Sequence, residues 1–393
     1  MAAALPALPV LIVGGGIGGI AAALALAHKG YPSHVFEQAS EFKEIGAGIQ
    51  LGPNAFMVFE RLGVTAAVND IAAFPDELEV RDSVTGELVS RMPAGETFRK
   101  RFGQTYGLIH RADLHNALLD ACRTSPLITL SASQKMVSFT EHGDHVSIAM
   151  QNGDTFEGAA LIGADGLWST VRESIVGDGK PRVSGHIAYR AVLPIAEVPK
   201  ANLRNSMVLW AGEKTHLVHY PLRRGELFNL VAVFHSDRYE EGWDSFGDPE
   251  ELHQRFKATC PEVRGMLEKI DSWRMWVLCD REPIRDWSRG RVTLLGDAAH
   301  PMLQYLAQGA AMAMEDAVCL ADKLKGNGGD FAAAFLAYQQ ARYLRTARVQ
   351  LTARLYGEVY HASGATRDLR NAFLKSRTAE QSIESMAWLY EGM

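Results

Sequence analysis

Val10-Leu11-Ile12-Val13-Gly14-Gly15-Gly16-Ile17-Gly18-Gly19 runs a short apolar segment into a cluster of glycines, and an alanine-rich stretch follows to about Lys29. Leucine and β-branched residues ended by glycine predict a fully buried strand, and the alanines predict a helix opening at Ile17. Gly14, Gly16 and Gly19 spell GxGxxG between the two, the order in which a dinucleotide-binding turn needs its parts. A tight turn, a close approach of backbone to pyrophosphate and close packing of helix on strand each exclude a β-carbon, and Gly18 belongs to the same cradle. The helix N-terminus offers N–H groups and partial positive charge to phosphate. A second strand, His34-Val35-Phe36, ends in Glu37, 18 residues beyond Gly19. Its carboxylate suits a ribose 2′-OH and would repel a 2′-phosphate. The motif by itself does not separate NAD from FAD.

The 393 residues suit one large α/β unit with a second lobe. A net charge of −6 leaves no basic surplus for a phosphate backbone, which argues against nucleic acid as a partner. Cys122, Cys260, Cys279 and Cys319 form no CxxC pair. Neither a zinc ribbon nor a disulfide framework is expected from them, no metal is called for, and a reducing cytoplasm is the expected location. No charged residue occurs from Leu5 to Ala27, but glycines at 14–16, 18 and 19 interrupt that run, so no transmembrane segment is expected.

Two later segments repeat the pattern of a buried strand ending in a glycine and an aspartate. Leu161-Ile162-Gly163-Ala164-Asp165-Gly166 leads to a helix start that Ser169 can cap. Thr293-Leu294-Leu295-Gly296-Asp297-Ala298-Ala299-His300-Pro301 is followed by Gln308-Gly309-Ala310 and a helix carrying Glu315 and Asp316. An aspartate at a strand's carboxyl end can hold a ribityl hydroxyl, and the next helix N-terminus can face the flavin pyrimidine ring.

With these three motifs in this order, the chain from Val10 to about Asp316 resembles the group A flavoprotein aromatic hydroxylases, the p-hydroxybenzoate hydroxylase-like family. The resemblance implies an α/β fold. A discontinuous Rossmann-type FAD-binding domain (1–75, 100–180 and 283–340) would carry a mixed or antiparallel-sheet substrate domain (76–99 and 181–282), followed by C-terminal helices (341–393). It also implies FAD as cofactor, NADH as co-substrate, O2, and a small aromatic acid as substrate. Within it Glu37 would bind the adenosine ribose, Arg111 would approach the flavin's linking chain, and Asp297 would contact the ribityl hydroxyls. Asp165 would serve both FAD and a visiting nicotinamide, and Gly296, Gly309 and Ala310 complete the cofactor set. No second GxGxxG of Rossmann type occurs, which suits an NADH that visits.

Between Gly185 and Cys279 the pattern changes to alternation, and His186–Leu193, Ser206–Ala211, Thr215–Pro221 and Leu227–His235 read as strands of one sheet, with Leu78–Met92 an added hairpin. Alternation puts His216, Val218 and Tyr220 on one face and Leu217 and His219 on the other. A phenol becomes a good nucleophile only as phenolate. A histidine titrating near neutrality can take that proton, so His216 is the candidate base, the plainer alternative being a histidine that satisfies a core hydrogen bond. Tyr106, Tyr220 and Gln304 complete the catalytic set, in a nearer resemblance to family members that hydroxylate a hydroxybenzoate. Gln304 stands where many relatives carry proline. A buried amide there needs a partner, which a ligand hydroxyl or carboxylate would supply, unless it is a surface turn residue.

Phe331 to about Tyr360 reads as one or two amphipathic helices that pack on the cofactor lobe or on a second copy, leaving room for a homodimer. Two other functions stay open: a decarboxylating hydroxylation of an aromatic acid, and a FAD-dependent reductase that transfers no oxygen.

Overall fold

The structure, a computed structural model, describes residues 8–44, 46–236 and 245–392. Val10–Val13 sits inside a six-stranded sheet whose order is Ser288–Arg289, Val292–Leu294, Ala160–Gly163, Val10–Val13, Ser33–Phe36, Ile128–Ser131. All pairings are parallel except that of the Ser288–Arg289 edge strand. All four side chains of Val10–Val13 are buried, as a strand covered on both faces requires.

Helix Ile17–His28 packs beside helix Gly309–Gly326, and the glycines make that approach available. A β-carbon on Gly18 would lie 2.9 Å from Leu295 Cδ2, and one on Gly19 would lie 2.0 Å from the Gly14 carbonyl oxygen. Gly14 itself has φ +109°, and a β-carbon there would meet the Ala164 oxygen at 2.2 Å. Because four neighbouring strands run the same way, their carboxyl ends share one edge. Gly14, Glu37, Asp165 and Asp297 meet at that edge although they are far apart in sequence.

The second sheet has eight strands, ordered Ser245–Phe246, Arg274–Asp280, Arg182–Pro194, Leu227–His235, Thr215–Leu222, Ser206–Gly212, Glu77–Asp82, Leu88–Pro93. It is antiparallel apart from the pairing of Ser206–Gly212 with Glu77–Asp82. The sheet is a partition. On its far face Trp210, Leu217, Phe228 and Leu230 join a core completed by helices Pro249–Phe256 and Pro261–Leu267. Its near face looks across a cavity toward the cofactor edge.

Phe331–Tyr360 is a single helix of 30 residues, followed by Gly364–Lys375, Ala379–Glu384 and Ala387–Tyr390. These C-terminal helices do more than cover the cofactor lobe: Tyr356, Tyr360, Met386 and Tyr390 also line the cavity. Among the described residues no helix is long and apolar enough to cross a membrane.

Candidate active site

A cavity of about 1270 Å³ lies between the two sheets. That exceeds the roughly 300–1,000 Å³ of an ordinary small-molecule site, so it has room for a dinucleotide and a second ligand. At the cofactor edge the polar groups are already oriented. Glu37 accepts from the Gly15 N–H at 2.9 Å and the Ala39 N–H at 2.8 Å, which holds its carboxylate over the glycine turn. Arg111 pairs with Glu44 at 3.0 Å while its Nε is buried without a partner. Asp297 opens onto the cavity and has no hydrogen-bond partner among the described residues. Burial pushes its carboxyl pKa up. Gly309 and Ala310 start the 18-residue helix Gly309–Gly326 and line the cavity beside it.

Asp165 also lines the cavity, but its carboxylate is occupied locally. It accepts from Ser169 Oγ at 2.5 Å and from the N–H groups of Thr170 and Val171 at 2.8 and 3.2 Å, while Ser169 caps the helix through the Arg172 N–H.

The substrate-side residues come from one face of the eight-stranded sheet. Register aligns Arg190, Val231, Val218 and Leu209 across four strands, with His216 and Tyr220 two positions to either side of Val218. All six line the cavity, so the expected alternation over 216–220 is what the strand shows. Tyr106 comes from outside this sheet and donates to Gln50 Oε1 at 2.7 Å. Burial pushes the Tyr106 and Tyr220 hydroxyls above the ordinary phenol range, so both are neutral donors. Gln304 lies across the cavity in a 3-10 turn, and its Oε1 accepts from Arg190 Nη2.

Two expectations change here. Gln304 does not wait for a ligand to satisfy its amide oxygen, because Arg190 already does so. His216 does not titrate near neutrality: burial, helped by His186, holds it down at about 3. It is a neutral imidazole with Nδ1 placed 2.7 Å from His361 Nε2.

Residues 7–351 match the FAD binding domain family. The chain is 47% identical over 383 residues to 3-hydroxybenzoate 6-hydroxylase of Polaromonas naphthalenivorans (strain CJ2), covering 98% of this chain and 96% of that protein. It is 46% identical to the protein of the same name from Klebsiella oxytoca, covering 97% and 96%. Among solved structures, Klebsiella pneumoniae HpxO complexed with FAD and uric acid superposes with a TM-score of 0.87 at 25% identity, covering 98% of this chain and 97% of that one. A salicylate hydroxylase substrate complex does so at 0.83 and 28%, covering 98% and 95%. The chain belongs to the FAD binding domain family. FAD is its cofactor.

The geometry fits FAD on observations of its own. The glycine turn leaves space where side chains would stand, and the Asp297 carboxylate and the Arg111 Nε lack partners beside it. Gly16 tests the fit most cleanly, because a β-carbon there would meet nothing nearer than Glu44 Oε1 at 3.4 Å and its φ is an ordinary −73°. Gly16→Ala is therefore expected to fold with an unchanged apoprotein melting temperature. It should weaken FAD binding on the order of tenfold, about 1.4 kcal/mol, by intruding on the pyrophosphate path. Flavin fluorescence titration reads this directly, and wild-type affinity would place the pyrophosphate elsewhere.

Arg190 escaped sequence reading although a signal existed: it is the charged position of the alternating run His186 to Val192. Gln50 and His361 left no such signal, since nothing local announces which short strand or helix end will face a residue brought in from elsewhere.

Proposed function

We propose that this protein is a cytoplasmic, NADH-consuming monooxygenase that places one atom of O2 on 3-hydroxybenzoate para to its hydroxyl, giving gentisate. When bound, FAD supplies the transfer of electrons from NADH and the activation of O2. The observation that carries the reading is Arg190. It is a half-buried guanidinium facing the cavity, with no carboxylate partner among the described residues and a buried Nε that bonds nothing. Burial lowers its pKa to about 10, which still leaves it cationic at neutral pH. A desolvated cation of this kind calls for an anionic ligand, and an aromatic carboxylate is one.

In this reading Arg190 and the Gln304 amide hold the acid, Tyr220 donates to its polar atoms, and Tyr106 exchanges its bond to Gln50 Oε1 for one to the acid. Leu209, Val218 and Val231 keep water from the ring. His216 accepts the phenolic proton, which raises electron density at the para carbon. Glu37, Arg111 and Asp297 hold FAD together with the Gly14, Gly16, Gly18, Gly19, Gly296, Gly309 and Ala310 backbone, and Asp165, its carboxylate engaged by Ser169 and the next helix, contributes through its backbone. The division into cofactor and substrate domains, a visiting NADH and a homodimeric assembly belong to the same proposal.

The test is a panel of hydroxybenzoates added to the FAD-loaded protein, with NADH consumption followed and the product identified under isotopically labelled O2. Labelled gentisate from 3-hydroxybenzoate is the expected result. Catechol with release of CO2 from a 2-hydroxybenzoate would identify the decarboxylating reaction instead, and NADH consumption without label in any product would identify a reductase.

A further inference from the structure

His216 is one end of a line of imidazoles. Its Nδ1 lies 2.7 Å from His361 Nε2, and His361 Nδ1 lies 2.9 Å from His235 Nε2. The first ring lines the cavity, the second is buried, and the third is half-buried at the end of its strand. Backbone bonds hold the geometry: the Lys214 N–H donates to the His361 carbonyl at 3.1 Å, and the His235 N–H donates to the Lys214 carbonyl at 3.0 Å.

A neutral imidazole has one N–H and one lone pair. With the proton on Nδ1 of every ring, His216 donates to His361 and His361 donates to His235. His235 then keeps a donor for water, and His216 keeps its Nε2 lone pair for the cavity. One tautomer serves all three rings and every contact.

We propose that His361 and His235 are relay residues that carry the phenolic proton of the bound substrate from His216 to solvent. The inference rests on the reading of His216 as proton acceptor, and it removes the difficulty in that reading. A proton taken from a phenol, whose ordinary pKa is about 10, cannot stay on an imidazole held at about 3. A proton passed through need not stay.

The phenol O–H bond breaks as His216 Nε2 gains its proton. The Nδ1 proton of His216 goes to Nε2 of His361, that of His361 to Nε2 of His235, and that of His235 to water. One proton leaves, one negative charge remains on the ring oxygen in the cavity that holds Arg190, and no imidazole is left charged. A proton returned to the product along the same line restores the starting tautomers.

The groups around the line fit this use. The His186 ring lies against that of His235 at 4.2 Å between centroids, tilted by 32°, and its Nδ1 is engaged by the Tyr305 hydroxyl at 2.5 Å. Burial lowers the pKa of His235, Lys214 and Arg255 lower it further, and Glu358 opposes them and favours a proton at the exit. Nitrogens of His186, His235 and His361 also lie within 4.8 Å of one another, a spacing open to a divalent metal. A neutral His361 with both nitrogens engaged by other rings has no lone pair left for one.

The test mixes the FAD-loaded protein with 3-hydroxybenzoate in the absence of NADH and follows phenolate formation by ultraviolet difference absorbance. Wild type should form phenolate on binding, with a solvent isotope dependence that shows several protons in flight. His361→Gln and His235→Gln should slow it about tenfold or more, short of the roughly 10²–10⁴ of a complete acid–base contribution. The flavin spectrum and substrate Kd should stay at wild-type values. Added imidazole should restore His235→Ala, whose site solvent can reach.

Wild-type rates in the His361 and His235 variants, with loss in His216→Ala, would overturn the relay and keep His216. Wild-type rates in all of them, or no phenolate in the wild type below the free phenol's pKa, would overturn both. If His361→Gln does not fold, His235→Ala decides: slow alone and restored by imidazole supports the relay, and unaffected overturns it.

Discussion

Arg342→Met is expected to destabilise the protein by about 3–5 kcal/mol, the cost of leaving buried Asp316 without its guanidinium and Glu315 with one of its two. Arg342 Nη1 reaches Glu315 at 2.7 Å and its Nε reaches Asp316 at 2.6 Å, and both carboxylates are fully buried. Arg345 also holds Glu315, through Nε at 2.6 Å, while Asp316 accepts from His300 at 2.5 Å and from the Gly296 N–H at 3.1 Å. The network therefore ties the long C-terminal helix to the turn that presents Asp297, and the variant should lose FAD more readily as well.

Burial works against the charge of Asp316, but His300 and Arg342 together hold it down to about 2. A depressed carboxyl contributes stability that is present above its ordinary value of 3.8 and is lost as pH falls through about 2. The difference between wild type and variant should then be full at neutral pH and shrink in acid. Urea midpoints across pH measure it, and a loss under about 1 kcal/mol, or one that does not change with pH, would remove the electrostatic account.

Arg190→Met should do the opposite to stability. Removing a desolvated cation that has no carboxylate partner is expected to leave the melting temperature unchanged or raised. The same change should weaken binding of a hydroxybenzoate by about 2–5 kcal/mol, roughly 30-fold to several thousandfold, as expected when one member of a buried charge pair is truncated. Calorimetric titration with 3-hydroxybenzoate and a thermal melt of the same sample separate the two effects. Arg190→Lys keeps the charge but not the fork that reaches Gln304, so it should recover part of the affinity. Equal affinity in wild type and Arg190→Met would place the substrate carboxylate against some other group.

The cofactor edge was legible because its determinants are local. A glycine turn between strand and helix, an acidic residue one strand later and two strands ending in a glycine and an aspartate each announce themselves within about a dozen residues. Parallel pairing then brings their ends together with little freedom left over. The near face of the eight-stranded sheet was half legible: period-two alternation placed His216, Val218 and Tyr220, and the same rule applied to 186–192 would have found Arg190.

The sequence by itself determined the Rossmann-type cradle, the alternating roof and the side chains each strand presents, since those follow from chain geometry over a few residues. Only the tertiary structure decided what those side chains meet. His216 and His361 are 145 residues apart, Arg190 and Gln304 are 114 apart, and Glu315 finds Arg342 on a different helix. Burial beside His186 sets the protonation state of His216, and those meetings set its hydrogen-bond partner, the satisfaction of Gln304 and the anchoring of Glu315. Burial and partner identity are properties of packing between distant segments, and no local pattern encodes them.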